Sequence, residues 1–321
     1  MGRTAVSTVD ERARRARWVR ARALRPGCAT WFGIEAEVGG GRMILVTGAT
    51  GTVGGGVLTR LLERGERVRA LTRNPDAALP EGVEVAVGAP RDTAAVTAAL
   101  DGVDAVFLVL VGDVEAEVRG FTAALAAVRR PPRVVLLSSL SVLHPVPHRI
   151  AEEHRAAEAA VAAATERWTF LRPGPFHSNA LWWSGSVRGT GTVRCLVGNR
   201  PGAPIDPGDV AAVAVAALTE EGHTGHAYDL TGPQVLTSGD QARILARAAG
   251  RPIAFEVAPA EQAVAVFASA GGDRAVAEGN VAALRSREVP WGYPTGTAER
   301  LLGRPARTFH AWAAEHAAAF G

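Results

Sequence analysis

Three glycines at intervals of three, Gly48, Gly51 and Gly54, separate the apolar run Met43-Ile44-Leu45-Val46 from a stretch in which Val57, Leu58, Leu61 and Leu62 recur at helical spacing as far as Gly65. The order is strand, glycine-rich turn, helix. Its chemistry is anion binding. Gly48 permits the tight turn, Gly51 lets backbone approach a pyrophosphate, and Gly54 lets helix and strand pack closely. The backbone of Thr50, Thr52 and Val53 opens the helix toward the phosphates. The spacing is G-x-x-G-x-x-G rather than G-x-G-x-x-G, so the setting carries the reading more than the motif does. Arg73 follows nineteen residues after Gly54, at the end of the next apolar stretch. An acid there would meet an unphosphorylated ribose; a guanidinium suits an added phosphate and favours NADP(H) over NAD(H).

Proton chemistry has one candidate, His154, because an imidazole titrates near neutrality. Glu158 lies one helical turn further on and shares its face. It either fixes the imidazole's tautomer or pairs with Arg155. Ser138 and Ser139 end an apolar stretch, where their hydroxyls either reach the cofactor or cap the loop. All 35 basic residues are arginine. That excludes Schiff bases, a phosphate-binding lysine of the Walker type and any Tyr-x-x-x-Lys pair. Cys28 and Cys195 are the only cysteines, which excludes a disulfide framework and a cysteine-built zinc site. His144 and His148 flank Pro145 and Pro147 without metal-ligand spacing, and no metal is expected.

The elements that must position these groups follow from periodicity. Strands are predicted at 43–46, 68–72, 83–87, 105–111, 134–137 and 168–171, and helices at 92–100, 114–128 and 149–164. Apolar strands alternating with helices imply an α/β fold: a Rossmann-type doubly wound parallel sheet, covered on both faces. Ligands then lie beyond the carboxyl ends of the strands, at the glycine turn, Arg73, Leu110, Val111, Gly112, Ser138, Ser139 and the 172–177 loop. Residues 43–180 form this domain, to which a short strand at 226–231 returns. Residues 181–321 form a smaller lobe, with Asp209 and Ser238 expected to cap its first two helices.

Charge and length bound the rest. The chain has 321 residues, 47% of them apolar, and a net charge of +3. Residues 1–42 hold nine arginines and four acids, so the remainder carries −2. The prefix reads as a basic extension, disordered or preceding a true start at Met43, and the negative remainder argues against a nucleic-acid partner. No apolar run approaches a membrane span. Few cysteines fit a reducing compartment, and the expected location is cytoplasmic.

The chain resembles the NmrA-like branch of the atypical short-chain dehydrogenases/reductases. The resemblance rests on Thr47-Gly-Ala-Thr-Gly-Thr-Val-Gly54, Arg69-Ala-Leu-Thr-Arg73, Ser138-Ser139, His154-Arg-Ala-Ala-Glu158, Thr169-Phe-Leu-Arg-Pro-Gly174, Ile205-Asp-Pro-Gly-Asp-Val210 and Tyr228-Asp-Leu-Thr-Gly-Pro233. It implies that 181–321 is a substrate-binding lobe and that Pro173, Gly174 and Phe176 lie along the nicotinamide. His177 and Asn179 would then face the substrate with Phe176. Trp182 and Trp183 would line the mouth of a pocket for a flat, apolar small molecule, or else form a core or dimer contact. The positions of the family's serine, tyrosine and lysine hold Leu140, Ile150 and His154. The acid expected after the third strand is replaced by Gly88-Ala89-Pro90-Arg91. His154 would therefore supply a proton or hold the nicotinamide ribose. The expected activity is NADPH-dependent reduction of a small carbonyl, quinone or imine by a monomer or homodimer. The alternatives are a non-catalytic NADP(H) sensor and an isomerase or cyclase that holds NADP.

Overall fold

A computed structural model describes residues 41–269, 273–286 and 288–321. The expectations for residues 1–40 lie outside them. The strands are β1 (Met43–Thr47), β2 (Arg67–Thr72), β3 (Glu84–Val87), β4 (Ala105–Leu108), β5 (Arg133–Leu137), β6 (Trp168–Pro173), β7 (Thr192–Cys195), β8 (His226–Leu230) and β9 (Ala254–Val257). The helices are α1 (Thr52–Glu63), α2 (Thr93–Ala99), α3 (Val114–Ala127), α4 (Arg149–Ala164), α5 (Ser184–Thr190), α6 (Pro207–Thr219), α7 (Ser238–Ala249), α8 (Ala260–Ser269), α9 (Arg274–Leu284), α10 (Thr297–Leu302) and α11 (Phe309–Glu315). Seven strands form one sheet in the order β3-β2-β1-β4-β5-β6-β8, every pairing parallel. This is the doubly wound Rossmann arrangement.

The apolar strands are continuous because both faces are covered. In β1, Ile44 and Val46 join the core under α1 and α6, whereas Met43 and Leu45 join the core under α2, α3 and α4. The same alternation splits Ala105 and Phe107 from Val106 and Leu108 in β4. Each such side chain contributes about 1.5–3 kcal/mol on leaving water. β7 and β9 pair in parallel as a separate two-stranded sheet. Near them, Phe309, Trp312 and Phe320 build a third core with α7, and Ala263, Val264, Ala277 and Val281 join α8 to α9 as a fourth.

Three local expectations are corrected. The strand predicted at 105–111 stops at Leu108. Beyond it the buried Thr47 hydroxyl accepts the Val109 N–H at 2.6 Å and donates to the Val109 carbonyl at 3.0 Å, so the chain leaves the sheet. Asp206, not Asp209, caps α6 by accepting the Gly208 N–H; Asp209 is buried and binds Arg304 and the Arg307 N–H. Thr237, not Ser238, caps α7 in a reciprocal capping box with Asp240.

Candidate active site and cofactor groove

The glycine turn lies at the carboxyl end of β1. Gly48 has φ of +62°, and a Cβ on Gly54 would collide with the Gly48 carbonyl oxygen. Both positions therefore demand glycine. Gly51 is the N-cap of α1, with no side-chain cap and no acid in the first turn. Thr50, Gly51 and Thr52 are exposed, while Val53 packs in the core. A positive helix end that starts in exposed residues fits a dinucleotide diphosphate, so this turn could hold one.

Two neighbouring loops flank the turn. Val109 sits against Gly48, and Leu110 and Val111 continue past it, with Val111 60% exposed. The Val111 N–H donates at 2.7 Å to buried Glu117, at the start of α3. Burial raises the Glu117 carboxyl above its ordinary range; the Val111 amide, Arg73 and Arg91 pull against that rise. Sequence reasoning missed Glu117. The signal was an acid set between Val114, Val118 and Phe121, on the stripe that faces the sheet. Arg73 is exposed, one residue past β2, where it could meet a ribose phosphate.

The ends of β5, β6 and β8 are built differently. Ser138 is buried, and its hydroxyl donates to Glu158 Oε1 at 2.6 Å. Arg172 grips the same carboxylate in a fork, Nε to Oε1 at 2.9 Å and Nη2 to Oε2 at 2.7 Å. Arg172 Nη1 also lies 3.7 Å from Asp229. The bond to Glu158 holds the Arg172 guanidinium above its ordinary pKa, and burial pushes Asp229 up. Neither expectation for Glu158 survives. It does not touch His154, and Arg155 instead donates to the carbonyls of Val142 and His144. Ser139 takes the capping alternative, accepting the Ser141 N–H at 3.1 Å.

His154 is half-buried on α4. Its Nδ1 lies 2.8 Å from the Ile150 carbonyl. A carbonyl only accepts, so Nδ1 carries the proton and Nε2 presents a lone pair in the neutral ring. The 173–183 segment is mostly packed. The Gly174 N–H binds the Leu230 carbonyl at 2.8 Å, the side chain of Trp291 lies against Gly174, and Phe176 packs on the first core. His177 is corrected: it is 1% exposed, with Nε2 at 2.9 Å from the Pro204 carbonyl and its ring against Phe309. It faces core, not substrate. Asn179 is half-buried, Trp183 packs on the third core, and Trp182 is 80% exposed. Among the described residues, no three or more His, Cys, Asp or Glu side chains gather as a metal site would require.

Comparison with known proteins shows the family and the fold. The profile of the NAD(P)H-binding family covers residues 48–221. A (4-alkanoyl-5-oxo-2,5-dihydrofuran-3-yl)methyl phosphate reductase from Streptomyces griseus subsp. griseus is 44% identical over 282 residues, spanning 87% of this chain and 99% of that protein. An NAD(P)H azoreductase from Xenophilus azovorans is 35% identical over 289 residues, with 87% and 99% covered. The NADPH-dependent quinone oxidoreductase of Escherichia coli, solved with NADPH, superposes with a TM-score of 0.72 at 26% identity, covering 85% of this chain and 99% of that one.

Proposed function

The chain belongs to the NAD(P)H-binding family, in the NmrA-like group of atypical short-chain dehydrogenases/reductases, and from that premise we propose that it reduces small conjugated electron acceptors with NADPH. It is an oxidoreductase whose cofactor is NADP(H). Bound NADPH supplies a hydride. In this reading the backbone of Gly48–Gly54 holds the diphosphate, Arg73 takes the ribose phosphate, and Pro173, Gly174 and Phe176 border the nicotinamide.

One observation carries the choice of acceptor. Two donors near the nicotinamide end, Ser138 and His154, already have acceptors within the protein. The Ser138 hydroxyl gives its hydrogen to Glu158, Arg172 grips that carboxylate in a fork, and His154 Nδ1–H serves the Ile150 carbonyl. A site without a ready acid favours substrates whose reduced form spreads its negative charge over a conjugated system, so that water completes protonation. An acyl-substituted unsaturated lactone, a quinone and an azo compound share that property. The three relatives are named for a dihydrofuranone phosphate, an azo compound and a quinone. His154 Nε2, with its lone pair outward, accepts a hydroxyl of the nicotinamide ribose.

The test is NADPH oxidation against a matched panel: a quinone, a 2-acylbutenolide, an azo dye and a simple unconjugated ketone. Turnover of conjugated members without the ketone is the expected result. Equal turnover of the ketone would overturn the acid-free reading. NADPH uptake with no oxidation by any compound would make the protein a dinucleotide sensor instead.

A further inference from the structure

Arg91 closes the Gly88-Ala89-Pro90-Arg91 stretch after β3, and its side chain is unpaired among the described residues. β3 lies at the edge of the sheet beside β2, with Thr72 opposite Val87 and the Gly88 N–H bonded to the Thr72 carbonyl at 2.9 Å. Arg73 and Arg91 thus leave neighbouring strand ends on the same edge of the sheet. The backbone of Arg91 is firmly placed. Gly120 of α3 lies so close that a Cβ there would collide with the Arg91 carbonyl group. Thr93 Oγ1 donates to the Gly120 carbonyl at 3.3 Å, and the Asp92 N–H binds the Ala89 carbonyl at 2.9 Å.

The side chains are another matter. Arg67 and Arg69, on β2 itself, both pair with Glu84. Arg73 and Arg91 are exposed and make no hydrogen bond or ion pair with any described residue. Both lie within electrostatic reach of buried Glu117, which accepts the Val111 N–H on one oxygen. Two exposed guanidiniums, in the loops that follow the neighbouring strands β2 and β3 and without an ion pair among the described residues, suit a doubly charged anion.

We infer that Arg91 is the second phosphate-binding residue of the adenosine end, sharing with Arg73 the 2′-phosphate that distinguishes NADPH from NADH. This rests on the assignment of Arg73 and the glycine turn to the dinucleotide. Gly120, by letting α3 approach, fixes the backbone from which the Arg91 side chain extends.

The probes are adenosine 2′,5′-bisphosphate and 5′-AMP, titrated calorimetrically into the full chain, with thermal melting as a check on folding. Wild type should prefer the bisphosphate. Arg91→Ala should lower bisphosphate affinity about tenfold, leave 5′-AMP unchanged and lose less at high salt. Arg91→Glu should reduce the preference further. A wild-type preference retained by Arg91→Ala, while Arg73→Ala loses it, would overturn the role of Arg91 and leave the dinucleotide assignment standing. Equal binding of both probes by wild type would overturn the 2′-phosphate role of Arg73 and this inference together. Parallel loss of both probes in Arg91→Ala would also overturn it, because the effect would not be on the 2′-phosphate.

Discussion

The two halves of the sheet's carboxyl edge treat charge in opposite ways. Around β1, β2 and β3 the polar groups are left over: a start of α1 with no side-chain cap and no acid, and Arg73 and Arg91 without partners among the described residues. Around β5, β6 and β8 they saturate one another: Ser138 on Glu158, Glu158 in the fork of Arg172, and Arg172 beside Asp229. Unpaired cations suit an anion, whereas a network of paired groups offers a fixed surface. In the proposed reading, the first half would capture the cofactor by charge, and the second would orient its reactive end against the substrate.

The sharpest way to break this comparison is at Gly54. Any Cβ there meets the Gly48 carbonyl oxygen, which the turn cannot move without losing its shape. Gly54→Val should abolish measurable NADPH binding, read by fluorescence of the reduced nicotinamide, with circular dichroism showing whether the sheet persists. Near-native affinity in a folded Gly54→Val protein would mean that charge capture does not pass through this turn.

The next largest effect should come from Glu158. Removing one member of a buried pair strands the other charge and typically costs about 3–5 kcal/mol. Arg172 keeps 20% side-chain exposure, which places Glu158→Ala near the lower end, about 3 kcal/mol by urea unfolding. The double variant Glu158→Leu with Arg172→Met should recover most of that stability. A loss below about 1 kcal/mol in the single variant would show the second half to be an ordinary solvated surface.

How much of this contrast the sequence discloses depends on the distance between partners. The glycine turn and Arg73 are legible because a strand, a turn and a helix follow one another within thirty residues, and spacing alone implies their geometry. The alternating apolar strands are legible for the same reason. The saturated network is not. Glu158 and Arg172 belong to a helix and to the strand after it, and periodicity says which face a residue takes but not what it meets. A clue was present: Glu158 shares the buried stripe of α4 with Ala151, Ala157 and Val161. An acid on such a stripe requires a hydrogen-bond donor or a cation brought to it by the fold. The same logic exposes Glu117 on α3. His177 misled because a polar residue in a proline-rich loop reads as a surface group, whereas Phe309 and Trp312, over 130 residues later, close over it.

His154 is where the comparison can be refined rather than broken. It sits in the saturated half, yet only one of its nitrogens is used: Nδ1 on the Ile150 carbonyl. Among the described residues Nε2 takes no partner. A ring that keeps its proton on Nδ1 can accept from a ribose hydroxyl but has none to give on the outward side. The substitution His154→Ala should therefore raise KM for NADPH about tenfold, the loss of one hydrogen bond in a dry site, with a smaller change in kcat. His154→Gln, which retains an acceptor, should restore part of that affinity. A large fall in kcat at unchanged KM, unrelieved by glutamine, would make His154 a proton donor after all. The second half of the edge would then hold one working acid inside its closed network, and unconjugated carbonyls would become plausible substrates.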